Sequence, residues 1–359
     1  MQKKKTLYIL CLVIAAACAL AVWHFQSVPN PAKLASETNE QNNKEKRVDQ
    51  EQERLKTANA QMEAKKKIDK IQDPNEKVEQ LVKAMTLEQK VGQLLMVGFK
   101  NPVPNKKIAD LIEHKYIGGV IYYDRNMKSA KQTAELSNSL QQSALKSNPF
   151  SIPLMIGVDQ EGGDILRMRN QVSPIPSQQE LGKYASPQEV YSIAKLNGEE
   201  LASMGISINF APVLDLSAKD SRSLGSQPEN VYEKGTMVLK GLNDSHITGV
   251  LKHFPGNGRS SIDPHIDTSS VKANQLDLEN SDIYPFKRII QETDPQNFFV
   301  MVTHLKYPAY DAKKPASLSP IIIQKLLRNK LGYKGIVVTD DLEMGAVNKY
   351  YSYKDLGKD

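Results

Sequence analysis

Lys252-His253-Phe254-Pro255-Gly256-Asn257-Gly258 is followed after four residues by Asp263-Pro264-His265, which sets an imidazole two residues from a carboxylate. A carboxylate beside an imidazole stabilises imidazolium and decides which nitrogen holds the proton, so Asp263 and His265 could serve as a proton-transfer unit. Gly256, Gly258 and Pro255 shape the loop, because glycine reaches backbone conformations closed to other residues and proline fixes one dihedral. Taken alone, the stretch is equally an ordinary connection with a solvated acid and histidine. As ligands, His253, Asp263 and His265 could hold zinc, yet no pair has the one-turn helical spacing that makes such sites recognisable.

Two further segments carry acids just past short apolar runs. Asp159-Gln160-Glu161-Gly162-Gly163 follows Leu154-Met155-Ile156-Gly157-Val158, and Asp340-Asp341-Leu342-Glu343-Met344 follows Ile336-Val337-Val338-Thr339. The runs belong to a longer pattern. Apolar stretches at 94–97, 119–122, 154–158, 206–214, 249–253, 298–302 and 335–338 read as buried strands. Helical stretches stand between them, among them 130–145, 188–204, 231–242 and 320–331. Strands separated by helices predict a parallel sheet, and this many units predict a (β/α)8 TIM-type barrel. No glycine-rich dinucleotide fingerprint follows an early strand, which argues against an open doubly wound sheet. Functional groups of such a barrel sit at the carboxyl ends of its strands. Asp159, Asp215, Lys252, His253, His304 and Asp340 all fall there.

In this order, the three motifs resemble the signature of glycoside hydrolase family 3, in its single-domain β-N-acetylhexosaminidase branch, over residues 81–344. The resemblance implies a retaining hydrolase of β-linked N-acetylglucosamine, which needs a carboxylate at the anomeric carbon and a separate proton donor. It assigns the nucleophile to Asp340, whose plainer reading is a helix N-cap. It assigns the proton donor to His265, with Asp263 as its partner. Asp159, Arg167, Arg222, Lys252 and His253 become sugar-binding groups; His304, read by itself, is a structural or supporting residue. Lys252 and His253 are adjacent and would point to opposite faces of an ideal strand, so both reach one pocket only where the strand bends or bulges. No metal and no cofactor are implied. Pro264, Asn257 and Leu224 depart from the family pattern, which usually has Ser, His and Phe there. In the resembled family a helix, a strand and closing helices follow the place of Met344, whereas this sequence ends at Asp359. A barrel truncated at its C-terminus, lacking the last unit, is therefore expected.

Lys3-Lys4-Lys5 precedes an uninterrupted apolar run over 7–23, so residues 1–26 are expected to be a signal peptide or membrane anchor, with the remainder exported. Cys11 and Cys18 both lie inside that segment, which leaves the exported part without cysteine. Residues 27–72, rich in Gln, Asn, Glu and Lys, read as a polar tether, flexible at first and helical over 45–70. Residues 73–359 form the expected catalytic barrel. A formal charge of +6, with both signs interleaved, argues against nucleic-acid binding as the main task. Expected partners are glycans or muropeptides containing N-acetylglucosamine and, through an uncleaved N-terminus, the membrane. The expected location is the outer face of the cell membrane or the wall, with secretion as the alternative. Phosphorolysis, a β-glucosidase of the same family, and a non-catalytic wall-fragment binder of the same fold are the alternatives.

Overall fold

The computed structural model describes residues 31–260 and 269–356. The segment 1–26, expected to be a signal or anchor, lies outside the described residues, as do Asp263 and His265. Contacts divide the chain into two units, which meet in sequence at Ala84/Met85.

The first unit contains α1 (Pro31–Ile68) and α2 (Pro74–Ala84). Sequence reasoning expected a flexible start and a helix from 45; α1 instead runs unbroken from Pro31. Proline is tolerated as a first helical residue because its missing N–H would have no partner there, and the Ala, Leu, Glu, Gln and Lys that follow are good helix formers. By contacts, α2 groups with α1. Among the described residues no helix is long and apolar enough to cross a membrane.

The second unit is built on seven strands hydrogen-bonded in chain order. They are β1 (Met96–Gly98), β2 (Gly119–Tyr122), β3 (Met155–Val158), β4 (Ile208–Asn209), β5 (Thr248–Phe254), β6 (Phe298–Val302) and β7 (Val337–Thr339). Every neighbouring pair is parallel. Parallel strands in sequential order with intervening helices make the TIM-like (β/α) architecture that the pattern predicted. α3 (Leu87–Gln93) precedes β1, and the helices between the strands include α4 (Lys106–Lys115), α5 (Ala130–Ser147), α6 (Gln178–Tyr184), α7 (Pro187–Ser203), α8 (Pro228–Asp244), α9 (Gln275–Asn280), α10 (Tyr284–Glu292) and a π-helix at Ile321–Lys330. Short polar residues set their starts. Ser177 with Glu180, and Ser186 with Glu189, form reciprocal capping boxes at α6 and α7.

β4 is much shorter than the apolar run 206–214 that announced it. Pro212, after a cis Ala211-Pro212 bond, has no N–H for the ladder. Single backbone bonds still tie the chain to its neighbours, Phe210 N–H to the Val158 carbonyl at 2.9 Å and Val250 N–H to the Ala211 carbonyl at 2.8 Å, and Val213 forms an isolated bridge with Lys252.

Alternation along the strands sorts their side chains into two layers. Val120, Tyr122, Ile156, Val158, Leu251, Val300 and Val302 belong to the large core. The opposite parity builds a smaller cluster of Ile208, Phe210, Val250 and Met301, with Met96, Ile121, Met155, Phe299 and Val338 against it. Gly157 shares this inner layer; a Cβ there would lie 2.8 Å from the Phe210 ring. Extending the inner parity one step past β2, β3 and β7 reaches Tyr123, Asp159 and Asp340, and within β5 the same parity falls on Lys252. His304 falls in the other parity, with Val300 and Val302.

Candidate active site

Four charged side chains at the ends of β3 and β5 and in the loop after β4 make one network. Lys252 Nζ donates to Asp159 Oδ1 at 2.6 Å and to Glu161 Oε1 at 2.7 Å. Arg222 grips the same Glu161 carboxylate with two bonds, Nε to Oε2 and Nη2 to Oε1, both 2.8 Å. Lys252 and Glu161 are almost wholly buried, with side chains 2% and 1% exposed. Asp159 and Arg222, at 21% and 31%, reach the opening. Burial opposes ionisation of Glu161, but Lys252 and Arg222 outweigh it and hold the carboxyl at about 2. Burial likewise works against a charged Lys252, and Asp159 and Glu161 raise it above its ordinary value. Two anions thus neutralise two cations, and Asp159 is the acid best exposed to accept hydroxyl hydrogens.

Glu161 had no role assigned from sequence. Its signal was an acid directly before two glycines. Gly162 and Gly163 adopt φ of +101° and +54°, conformations that favour glycine. They close a tight hairpin in which the Glu161 N–H donates to the Ile165 carbonyl at 2.9 Å.

A second pair lies beneath β5. His253 Nδ1 is 2.6 Å from Asp215 Oδ2, and Asp215 Oδ1 accepts the backbone N–H groups of His253 (3.2 Å) and Asn257 (2.7 Å). Burial pushes the Asp215 carboxyl up, but His253 and these donors bring it below its ordinary value. An ionised carboxylate only accepts, so Nδ1 of His253 carries the proton. Sequence reasoning put Asp215 at a strand end without a task; it holds His253. The β5–β6 register shifts between Leu251 and Phe254, and the Lys252-His253 peptide bond there is cis. The shift in register makes the β5–β6 ladder irregular at these two adjacent residues.

Tyr123 links this network to the end of β7. Its hydroxyl donates to Asp341 Oδ2 at 3.4 Å. Burial, then Asp341 and Asp159, push its phenol up. Arg125 and Arg167 lie 4.3 Å and 5.6 Å from the Tyr123 ring centre. Arg167 also pairs with Asp124 at 2.9 Å, while its buried Nε finds no hydrogen-bond partner. Tyr123, too, escaped the sequence reading, being an aromatic at the end of an apolar run.

Asp340 follows β7, and its N–H donates to the Val302 carbonyl at 3.0 Å, one further rung of the β6–β7 ladder. Its Oδ1 accepts the Asp341 N–H at 2.9 Å. The turn toward Met344 is closed by Asp341, whose Oδ1 accepts the Glu343 N–H at 2.8 Å. The N-cap alternative for Asp340 therefore loses its main support.

The segment toward Asp263 and His265 departs through Gly258, where a Cβ would lie 1.9 Å from the Leu216 carbonyl oxygen. Backbone cannot yield as a side-chain tip can, so Gly258→Ala is expected to cost about 1–3 kcal/mol. Urea unfolding of the variant against wild type checks this; an unchanged midpoint would contradict the close approach. The zinc reading of His253, Asp263 and His265 rests on two residues outside the described set, and His253 Nδ1 is engaged by Asp215.

The profile for the glycosyl hydrolase family 3 N terminal domain matches residues 86–359. Beta-hexosaminidase A of Pseudoalteromonas piscicida is 30% identical over 308 residues, covering 76% of this chain and 51% of that protein. Beta-hexosaminidase of Nitrosomonas eutropha is 36% identical over 252 residues, covering 67% and 70%. Among solved structures, the glycoside hydrolase family 3 β-N-acetylglucosaminidase of a Paenibacillus species is 37% identical with a TM-score of 0.72, covering 76% of this chain and 52% of that one. The chain spans about half the length of the first and third of these relatives. Parallel strands in chain order, charged groups at their carboxyl ends and a profile match through the whole of that sheet lead to one assignment: the chain belongs to glycoside hydrolase family 3.

Proposed function

We propose that this protein is an exported β-N-acetylhexosaminidase that removes terminal, non-reducing β-linked N-acetylglucosamine from peptidoglycan fragments. One observation carries the reading. Asp340 shares the inward parity with Asp159 and Lys252, and Tyr123 touches Asp341 while lying in the field of Asp159. The shared layer supports a reading in which the Asp340 carboxylate works with hydroxyl-binding groups. The names of the relatives, β-hexosaminidase and β-N-acetylglucosaminidase, support the same chemistry.

In this reading Asp340 attacks the anomeric carbon while His265, oriented by Asp263, protonates the leaving oxygen. Water then hydrolyses the glycosyl-enzyme with His265 as base. An imidazole, with an ordinary pKa of about 6.5, needs less perturbation than a carboxyl to donate at neutral pH. Asp159, Arg167, Arg222, Lys252 and His253 hold the sugar or the groups that hold it. Residues 1–26 direct export, and the polar helix after them is a tether.

The test is turnover of a chromogenic N-acetyl-β-glucosaminide by the purified protein, with Asp340→Asn as control. Equal silence of both, with sugar still bound, would leave only the wall-fragment binder. For the acid, His265→Ala is expected to lower kcat/KM on a natural disaccharide by about 10²–10⁴-fold. It should lower kcat/KM far less on an aryl glycoside whose leaving group needs no proton. Equal losses on both substrates would remove His265 from the acid's role.

A further inference from the structure

The turn that carries Asp340 is held from the helix side of the sheet by a buried histidine. His304 stands two residues past β6 and is fully buried at 0% exposure. Its Nε2 lies 3.0 Å from the carbonyl oxygen of Asp341, and its Nδ1 lies 2.7 Å from Ser317 Oγ. A carbonyl only accepts, so Nε2 carries the hydrogen. Burial lowers the histidine's proton affinity, against the pull of Asp340, and so favours the neutral ring. Nδ1 therefore accepts the hydroxyl hydrogen of Ser317. Ser317 is fixed in turn: its N–H donates to the Thr303 carbonyl at 2.9 Å, within the short helical turn Ala316–Leu318.

The same Asp341 carbonyl accepts the Met344 N–H at 3.0 Å, and the Asp340 N–H is anchored on Val302 at 3.0 Å. Asp340 is thus pinned on its own nitrogen and again one residue later. We propose that His304 and Ser317 form a clamp on the Asp341 carbonyl that aims the Asp340 carboxylate at the sugar. Neither residue touches substrate; both act through the backbone of the turn. This inference rests on Asp340 being the nucleophile.

Two measurements test the clamp. Nitrogen-15 NMR of labelled histidine reads the ring directly and needs no activity. A neutral ring protonated on Nε2 at neutral pH is expected, with Ser317→Ala shifting Nδ1 alone. An Nδ1–H tautomer or an imidazolium overturns the clamp. Kinetics supply the other measurement, because a small misplacement of a reacting group costs about 10²-fold. His304→Leu is expected to lose that much in kcat with KM within about twofold. Glutamine can place an N–H where Nε2 stood, so His304→Gln should recover most of the rate. Wild-type kcat in the leucine variant, or no rescue by glutamine, overturns the proposal. Should His304→Leu fail to fold, Ser317→Ala carries the kinetic comparison, with about a tenfold loss expected. Retained activity in Asp340→Asn would instead sink the nucleophile reading and leave the tautomer result standing.

Discussion

Asp340→Asn is expected to reduce turnover by on the order of 10⁴-fold or more while leaving the fold intact. Asparagine has nearly the same shape but offers no anion to attack the anomeric carbon. What keeps the turn in place survives the change. The anchor on Val302 uses the backbone N–H, and the bond from the Asp341 N–H goes to Oδ1, which asparagine retains. His304 should stay neutral, since removing a nearby negative charge can only weaken its hold on a second proton. Stability is therefore expected within about 0.5 kcal/mol of wild type. Asp341→Asn keeps the Oδ1 that accepts the Glu343 N–H and should lose much less rate. Measuring kcat beside urea unfolding separates these effects. A neighbour variant as inactive as Asp340→Asn, or an unfolded Asp340→Asn, would break the assignment of the attacking group.

What was legible in the sequence was the part governed by period and position. Buried parallel strands read as apolar runs, and each of the expected strands is present. The residues at or near their carboxyl ends, Asp159, Lys252 and Asp340, could be found because a parallel barrel presents its functional groups there. The weaker readings failed for local reasons. A single Pro212 ended β4 early, although the apolar run continued. In α1 a run of good helix formers was taken for a flexible segment because it was polar. Glu161 and Asp215 were harder still. Each reaches its partner through a turn or an irregular strand end, and no periodicity reports which cation or imidazole lies opposite. Tyr123 reads as one more apolar strand residue until Asp341, far along the chain, is seen against its hydroxyl.

Glu161→Leu is expected to cost about 3–5 kcal/mol, because it removes one partner of a buried ion network and leaves the others. The loss is unevenly shared. Arg222 has a side chain 31% exposed and can turn toward water, whereas Lys252, at 2%, keeps only Asp159. The pH dependence has a definite sign. The Glu161 carboxyl sits at about 2 in the fold, below its ordinary 4.5. A depressed acid adds stability that is present above the unfolded value and is lost as pH falls toward the folded one. Unfolding free energy should therefore decline in wild type between about pH 5 and pH 2, and the part of that decline due to Glu161 should vanish in Glu161→Leu. Lys252 is shifted the other way, so its contribution holds through this window and fails only at alkaline pH. Arg222→Met supplies the decisive comparison. Because Arg222 and Glu161 share a two-pronged bond, the double variant should be less destabilised than the sum of the singles. Strict additivity would mean that the two side chains stand near each other without holding each other.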